Sequence, residues 1–186
     1  MTAEELERDL QSLPPEEVRT TRLIAISLCI SLCIGLTLFG LMDLFLVANP
    51  GYLASNSGGS VPFDPKLLIL LSALTAVLFA LAWPLSFVLS GVVASPAKVR
   101  LASENGVRSA LGVRRSGLLV GWALREGVAL MGLAVCLLGG LGGTFAEHPW
   151  VAIDAVPALV FVIHTLLTLP TKQTLRHDIL AALERA

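Results

Sequence analysis

Four long apolar runs, separated by charged or turn-forming segments, constrain this 186-residue chain more than any other feature. A helix needs about 20 apolar residues to cross the hydrocarbon core of a bilayer. Helices also satisfy their own backbone polar groups in lipid, and the runs do not alternate with the period of two that a β-barrel requires. We therefore predict an all-α integral membrane protein, a bundle of four transmembrane helices within residues 23–170. The predicted spans cover about residues 23–48, 67–96, 117–143 and 150–170.

Composition agrees with a membrane protein. The chain is 55% hydrophobic and 15% charged, and its mean hydropathy is +0.79, which suits lipid better than water. The first run follows an acidic stretch and is too long for the apolar region of a signal peptide, so we interpret it as a span. Little material lies outside the spans, and none of it is long enough to form its own core.

Short amphipathic helices are predicted to flank the spans. At the N-terminus, within residues 1–22, the pattern predicts a helix over Thr2–Leu13 that ends at Pro14–Pro15. A second lies in the tail, residues 171–186. A third is predicted at the membrane interface within Lys98–Arg115, interrupted near Asn105–Gly106. The segment Asn49–Pro65 is rich in Gly, Ser, Asn and Pro and is predicted to be a loop.

Basic residues set the predicted orientation. Eleven lysines and arginines fall on one side of the predicted spans, and only Lys66 falls on the other. Because cytoplasmic segments of membrane proteins carry the excess of basic residues, we predict that both termini lie in the cytoplasm. The eleven are Arg8, Arg19, Arg22, Lys98, Arg100, Arg108, Arg114, Arg115, Lys172, Arg176 and Arg185.

Small residues recur every four positions within the spans. Ser27, Ser31 and Gly35 do so in the first span, and Gly132, Cys136 and Gly140 do so in the third. Small side chains let membrane helices approach closely. The pattern therefore predicts a compact bundle or an oligomer.

The third and fourth spans contain the most informative polar residues. Arg125 and Glu126 lie in the third and His164 in the fourth. At a rise of about 1.5 Å per residue, Glu126 lies roughly 12–15 Å and His164 roughly 9 Å from the cytoplasmic end of its span. Ionisable groups at such depth are costly unless protonated, paired or facing a polar cavity. We predict that these three side chains form one polar cluster. Three roles stay open for it: a packing clasp, a proton or cation site, and recognition of a partner subunit.

Asp43 and Asp154 lie near the predicted outer ends of the first and fourth spans. The simpler interpretation is that both are polar groups at the membrane interface; the alternative is the outer mouth of an ion path.

No residue set indicates catalysis, a metal or a cofactor. Cys29 and Cys33 lie four residues apart, but no histidine or carboxylate stands at ligand spacing beside them, so they are interpreted as small apolar residues. Nucleophile elbows, phosphate loops and dinucleotide fingerprints are absent from the sequence. Neither a basic domain nor an aromatic platform for nucleic acid is present. We predict a protein that is not an enzyme and does not bind nucleic acid.

The segment Trp122–Gly139 contains Ala-Leu-Arg-Glu-Gly-Val-Ala-Leu-Met-Gly-Leu. It resembles the ion-binding helix of rotary ATP synthase c subunits, and the resemblance implies that Glu126 is the ion-binding carboxylate. In that family no arginine stands beside the carboxylate, and Lys98–Arg115 lacks the family's polar-loop signature. Overall, the chain is similar to small four-span bacterial membrane proteins of unknown function, which implies a location in the bacterial cytoplasmic (inner) membrane.

Two functions follow as hypotheses. The favoured one is a non-enzymatic accessory or structural subunit of a membrane assembly, with the lipid bilayer and either further copies or other membrane subunits as its partners. The alternative is an oligomeric protein that translocates protons or cations at Glu126.

Overall fold

In the computed structural model, residues 8, 15–49, 64–141 and 148–184 are described, and this part of the chain is helical without strands. The prediction of an all-α fold is confirmed for these residues. Four of the helices are long and apolar enough to cross a membrane. In chain order the elements are α1 (Pro15–Ala48), α2 (Pro65–Val93), α3 (Pro96–Glu104), α4 (Val107–Leu141), a 3-10 helix (Pro149–Ala155) that leads into α5 (Val156–Leu167), and α6 (Lys172–Glu184).

Two predicted features lie mostly outside the described residues. They are the N-terminal helix over Thr2–Leu13, of which only Arg8 is described, and the loop between Asn49 and Asp64. The helix predicted in the tail is present as α6.

Helices α1 and α4 are longer than a bilayer requires. Their 34 and 35 residues correspond to roughly 51–53 Å, against a hydrocarbon core of about 30 Å. In α4 the excess lies at the beginning, where the basic residues of the predicted interfacial helix are found. That segment is therefore not a separate helix up to Arg115, because α4 continues without a break from Val107 into the third span.

The predicted interruption near Asn105–Gly106 is confirmed. Gly106 has φ of +103°, in the left-handed region that favours glycine. Its N–H donates to the carbonyl oxygen of Ser103, and the N–H of Asn105 donates to that of Ala102. These bonds close the end of α3 and let the chain turn into α4.

Proline explains why the fourth predicted span starts as a 3-10 helix. Pro149 opens it, and Pro157 has no N–H to donate to Ile153. The Ile153 carbonyl oxygen instead accepts from the N–H of Val156, which is the tighter i→i+3 pattern. Because a 3-10 helix rises about 2.0 Å per residue, the segment Pro149–Leu167 extends to roughly 32 Å and is long enough for a bilayer.

The chain divides into two compact units, which are described separately. The first comprises Met1–Ser27, Trp83–Leu124 and Thr165–Ala186. Its apolar core is built from α1, α3, α4 and α6. The buried core residues are Val18, Val99, Val107, Ala110, Leu111, Leu175 and Ile179.

Arginines connect the helices of the first unit. Arg115 of α4 donates to the hydroxyl of Thr21 (2.9 Å), and to the carbonyl oxygen (2.8 Å) and carboxylate (3.0 Å) of Glu17, both in α1. Arg114 donates twice to one carboxylate oxygen of Asp178 in α6, at 3.1 and 2.6 Å. Charge-assisted bonds of this kind are stronger than neutral ones, so they fix α1 and α6 against α4.

We expect Arg115→Gln to lower the free energy of unfolding by about 1–2 kcal/mol, because three donated bonds to α1 are lost from a half-buried position. The matched control is Arg108→Gln. Arg108 approaches the same Glu17 carboxylate only to 3.8 Å and its side chain is 78% exposed, so its loss should change stability by less than about 0.5 kcal/mol. Denaturant unfolding of the purified protein in detergent measures both, and equal effects would contradict the assignment.

The second unit comprises Leu28–Ala82 and Arg125–His164. A small core there contains Leu68, Val135 and Val151, with Leu71 packed against it. The predicted small-residue face of α4 is part of this unit, and all its members are buried: Gly132, Cys136 and Gly140.

Candidate functional site

A buried hydrogen bond joins two polar side chains of the second unit. The Ser72 hydroxyl, on α2, donates to a carboxylate oxygen of Asp154 in the 3-10 helix at 2.5 Å. Ser72 is 7% exposed and Asp154 4%. The simpler expectation was that Asp154 is a polar group at the membrane interface. In the structure its side chain is instead hydrogen-bonded to another helix.

Helix α4 lies directly against this hydrogen-bonded pair. A Cβ built on Gly132 would overlap the carbonyl oxygen of Asp154 and would lie 3.5 Å from the methyl carbon of Thr75. One turn further along α4, the Cys136 thiol donates to the carbonyl oxygen of Val151 at 3.5 Å. The small residues of α4 thus allow three elements to meet around Asp154.

The second polar region of this unit contains the three residues predicted to cluster. Arg125 is 7% exposed, and His164, whose imidazole is near enough to be influenced by the guanidinium charge, is half-buried. Glu126 is half-buried as well. No described hydrogen bond or ion pair involves its side chain. The structure thus places the charge of Arg125 near His164, and no described hydrogen bond or ion pair links Glu126 to either of them.

Apolar side chains separate the two polar regions. Arg125 lies about two turns before Gly132 on α4, roughly 10 Å, and His164 lies roughly 15 Å beyond Asp154 along the fourth span. The buried residues on the stretches between them are apolar and include Val128 and Ala129 of α4, and Ala158 and Phe161 of α5. Phe161 is the largest fully buried side chain among the described residues.

The cysteines do not form a metal centre in the part of the chain that is described. Cys29 and Cys136 are buried, whereas Cys33 is exposed. No group of three His, Cys, Asp or Glu side chains that could hold a metal is found among the described residues.

Asp43, the remaining candidate, lies within α1, but its side chain is outside the described part of the structure.

Sequence reasoning did not identify Ser72 as the partner of Asp154, although a signal existed. Both residues lie less than three turns from the start of their helices, Pro65 and Pro149. Those two ends were predicted to lie on the same side of the membrane. Two polar residues at similar depth on apolar helices are candidates to bond with one another.

Comparison of the chain with protein-family profiles, characterised proteins and solved structures finds no match. The two resemblances described above therefore remain predictions.

Proposed function

We propose that this chain is a non-enzymatic multi-pass membrane protein, with both termini in the cytoplasm of a bacterial cell, that serves as an accessory or structural subunit of an inner-membrane assembly. Its four apolar helices support the membrane location. In the first two of these apolar segments, only 17% and 22% of the most apolar 18-residue stretch is buried against the rest of the chain. Lipid or other subunits would cover the rest.

The observation that carries the structural role is the apolar layer between the two polar regions of the second unit. Ser72 and Asp154 form a hydrogen bond with one another, and the charge of Arg125 lies near His164. An ion passing between these regions would meet the buried Phe161 and other buried apolar residues rather than a polar path. The arrangement favours a clasp between Ser72 and Asp154 that sets the register of α2 against the 3-10 helix.

Native mass spectrometry tests the proposal on the tagged chain, extracted gently from its own membrane. We expect stoichiometric complexes that contain other membrane subunits. A monomer, or a closed oligomer of this chain alone, would contradict the accessory role.

The alternative, translocation of protons or cations, is favoured by one observation. Glu126 is half-buried on a span and has no described partner, so its carboxyl group is available for protonation or for a cation. A hydrophobic carbodiimide should then modify the wild-type protein in a pH-dependent manner, and Glu126→Gln should abolish the reaction. Absence of labelling in the wild type would remove this alternative.

A further inference from the structure

An open groove of about 430 Å³ lies in the first unit, where α2 ends, α3 crosses and α4 begins. Its volume is within the range of small-molecule sites in proteins. None of the residues considered for function so far contributes to it. The lining residues are Val93, Lys98, Leu101, Ala102, Asn105, Ser109, Val113 and Ser116.

The groove follows from the turn at Gly106. On α3 and its cap, the lining residues from Lys98 to Asn105 recur at helical spacing, and on α4 so do those from Ser109 to Ser116. The buried core of the unit is built from other positions of the same helices, including Val99 and Leu111, and Val113 of the groove also packs against it. Two helices joined by a tight turn thus share a core on one side and present a second pair of faces to the groove.

The lining suits a molecule that has an anionic group and an apolar chain. Lys98 is the only charged lining residue, and no carboxylate is among the eight. Its ammonium group donates one hydrogen bond, to the carbonyl oxygen of Val92 at 3.1 Å, which leaves two N–H groups for a ligand. Asn105 and Ser109 add neutral donors. Leu101 contributes apolar surface and is 64% exposed.

The position of the groove favours a lipid over a free anion. Lys98 lies only five residues after Val93, which is the last residue of α2. On α2, Val88 and Val92 are 59% and 56% exposed, and the carbonyl oxygen of Val92 accepts from Lys98, so exposed apolar surface lies next to the lysine. A free phosphate would leave Leu101 in water, whereas an acyl chain would cover it.

We propose that this groove binds one anionic phospholipid, with the phosphate at Lys98 and an acyl chain against Leu101 and the exposed valines of α2. The site rests on the proposed membrane location and goes beyond the accessory role, because it needs no partner subunit.

The test is a lipid titration of the delipidated full-length protein in neutral detergent, with bound lipids counted by native mass spectrometry. The probes are phosphatidylglycerol, phosphatidylcholine of the same chain length, and inorganic phosphate. We expect one phosphatidylglycerol per chain, bound about tenfold more tightly than phosphatidylcholine, and no retained phosphate. Phosphate bound as tightly as the lipid, or no preference between the two lipids, would overturn the proposal.

Variants on α3 locate the site. Lys98→Gln should weaken phosphatidylglycerol binding about tenfold, and Leu101→Asn, at an exposed position that tolerates change, should weaken both lipids several-fold. The matched control is Arg100→Gln, which removes the same charge from the same helix outside the groove and should leave the affinity within about twofold. Equal losses in Lys98→Gln and Arg100→Gln would show diffuse attraction to a basic surface and would refute the groove. Because partner subunits are absent from this experiment, its outcome is independent of the accessory role.

Discussion

Gly132→Ala is expected to lower the free energy of unfolding by about 3 kcal/mol. The added methyl group would overlap the carbonyl oxygen of Asp154 and lie 3.2 Å from its carbonyl carbon. Overfilling a packed contact typically costs about 1–3 kcal/mol. The upper end applies here because the obstacle is backbone and cannot move away by a side-chain rotation. The 3-10 helix or α4 must shift to accommodate the methyl group.

Unfolding in mixed detergent micelles, followed by circular dichroism, measures this loss. Gly127→Ala is the matched control on the same helix, since a Cβ there meets nothing within 4 Å. It should keep the wild-type stability or gain up to about 1 kcal/mol, because alanine favours the helix. If both variants lost the same amount, the close approach of α4 to the 3-10 helix would be wrong.

Ser72→Ala is expected to cost about 2 kcal/mol, the second largest effect. The substitution leaves the carboxyl group of Asp154 buried without the hydroxyl that donates to it at 2.5 Å. Leaving a buried polar group unsatisfied costs about 1–3 kcal/mol. Asp154→Asn keeps an oxygen that accepts from Ser72, so it should cost less than about 1 kcal/mol.

A double-mutant cycle over Ser72→Ala and Asp154→Ala isolates the contact. Coupling energies of hydrogen bonds between membrane helices average about 0.6 kcal/mol and reach about 1.7 kcal/mol, and this buried bond should lie in the upper half of that range. Ser31→Ala serves as the control for removal of a hydroxyl group, since Ser31 is exposed on α1. A coupling energy of zero would mean that Ser72 and Asp154 do not interact.

The number and type of the long helices were predictable because each depends on local properties of the chain. An apolar run of sufficient length is helical in lipid whatever it packs against. The break at Asn105–Gly106 was predictable for a similar reason, since Gly106 adopts a backbone conformation that other residues avoid. The continuity of α4 was missed because the change from basic to apolar composition after Arg115 resembles a boundary, although nothing there interrupts the helix.

The orientation of α4 about its axis was harder to predict, and it determines which of the predicted cluster residues on this helix is buried. Arg125 and Glu126 differ by about 100° in direction, so they face different neighbours. Arg125 lies two turns before Gly132, on the face whose small residues are buried, and it is buried too. The predicted stripe of small residues, extended backwards, therefore already indicated Arg125 rather than Glu126.

The contact between Ser72 and Asp154 depends on the axial register of two helices that are distant in the sequence. Depth arithmetic brings them to similar levels, but packing against Gly132 and Thr75 determines which residues meet. That information lies in the complementary shapes of three elements, which no single apolar pattern encodes.

Proton flux tests most directly the claim that the buried polar residues have a structural role and do not form a conducting path. The purified protein would be reconstituted into liposomes that contain a trapped pH-sensitive dye, and a potassium gradient with valinomycin would supply the driving force. We expect the rate of acidification to equal that of protein-free liposomes. A protein-dependent flux that Glu126→Gln abolishes would contradict the account and establish the proton-translocating alternative.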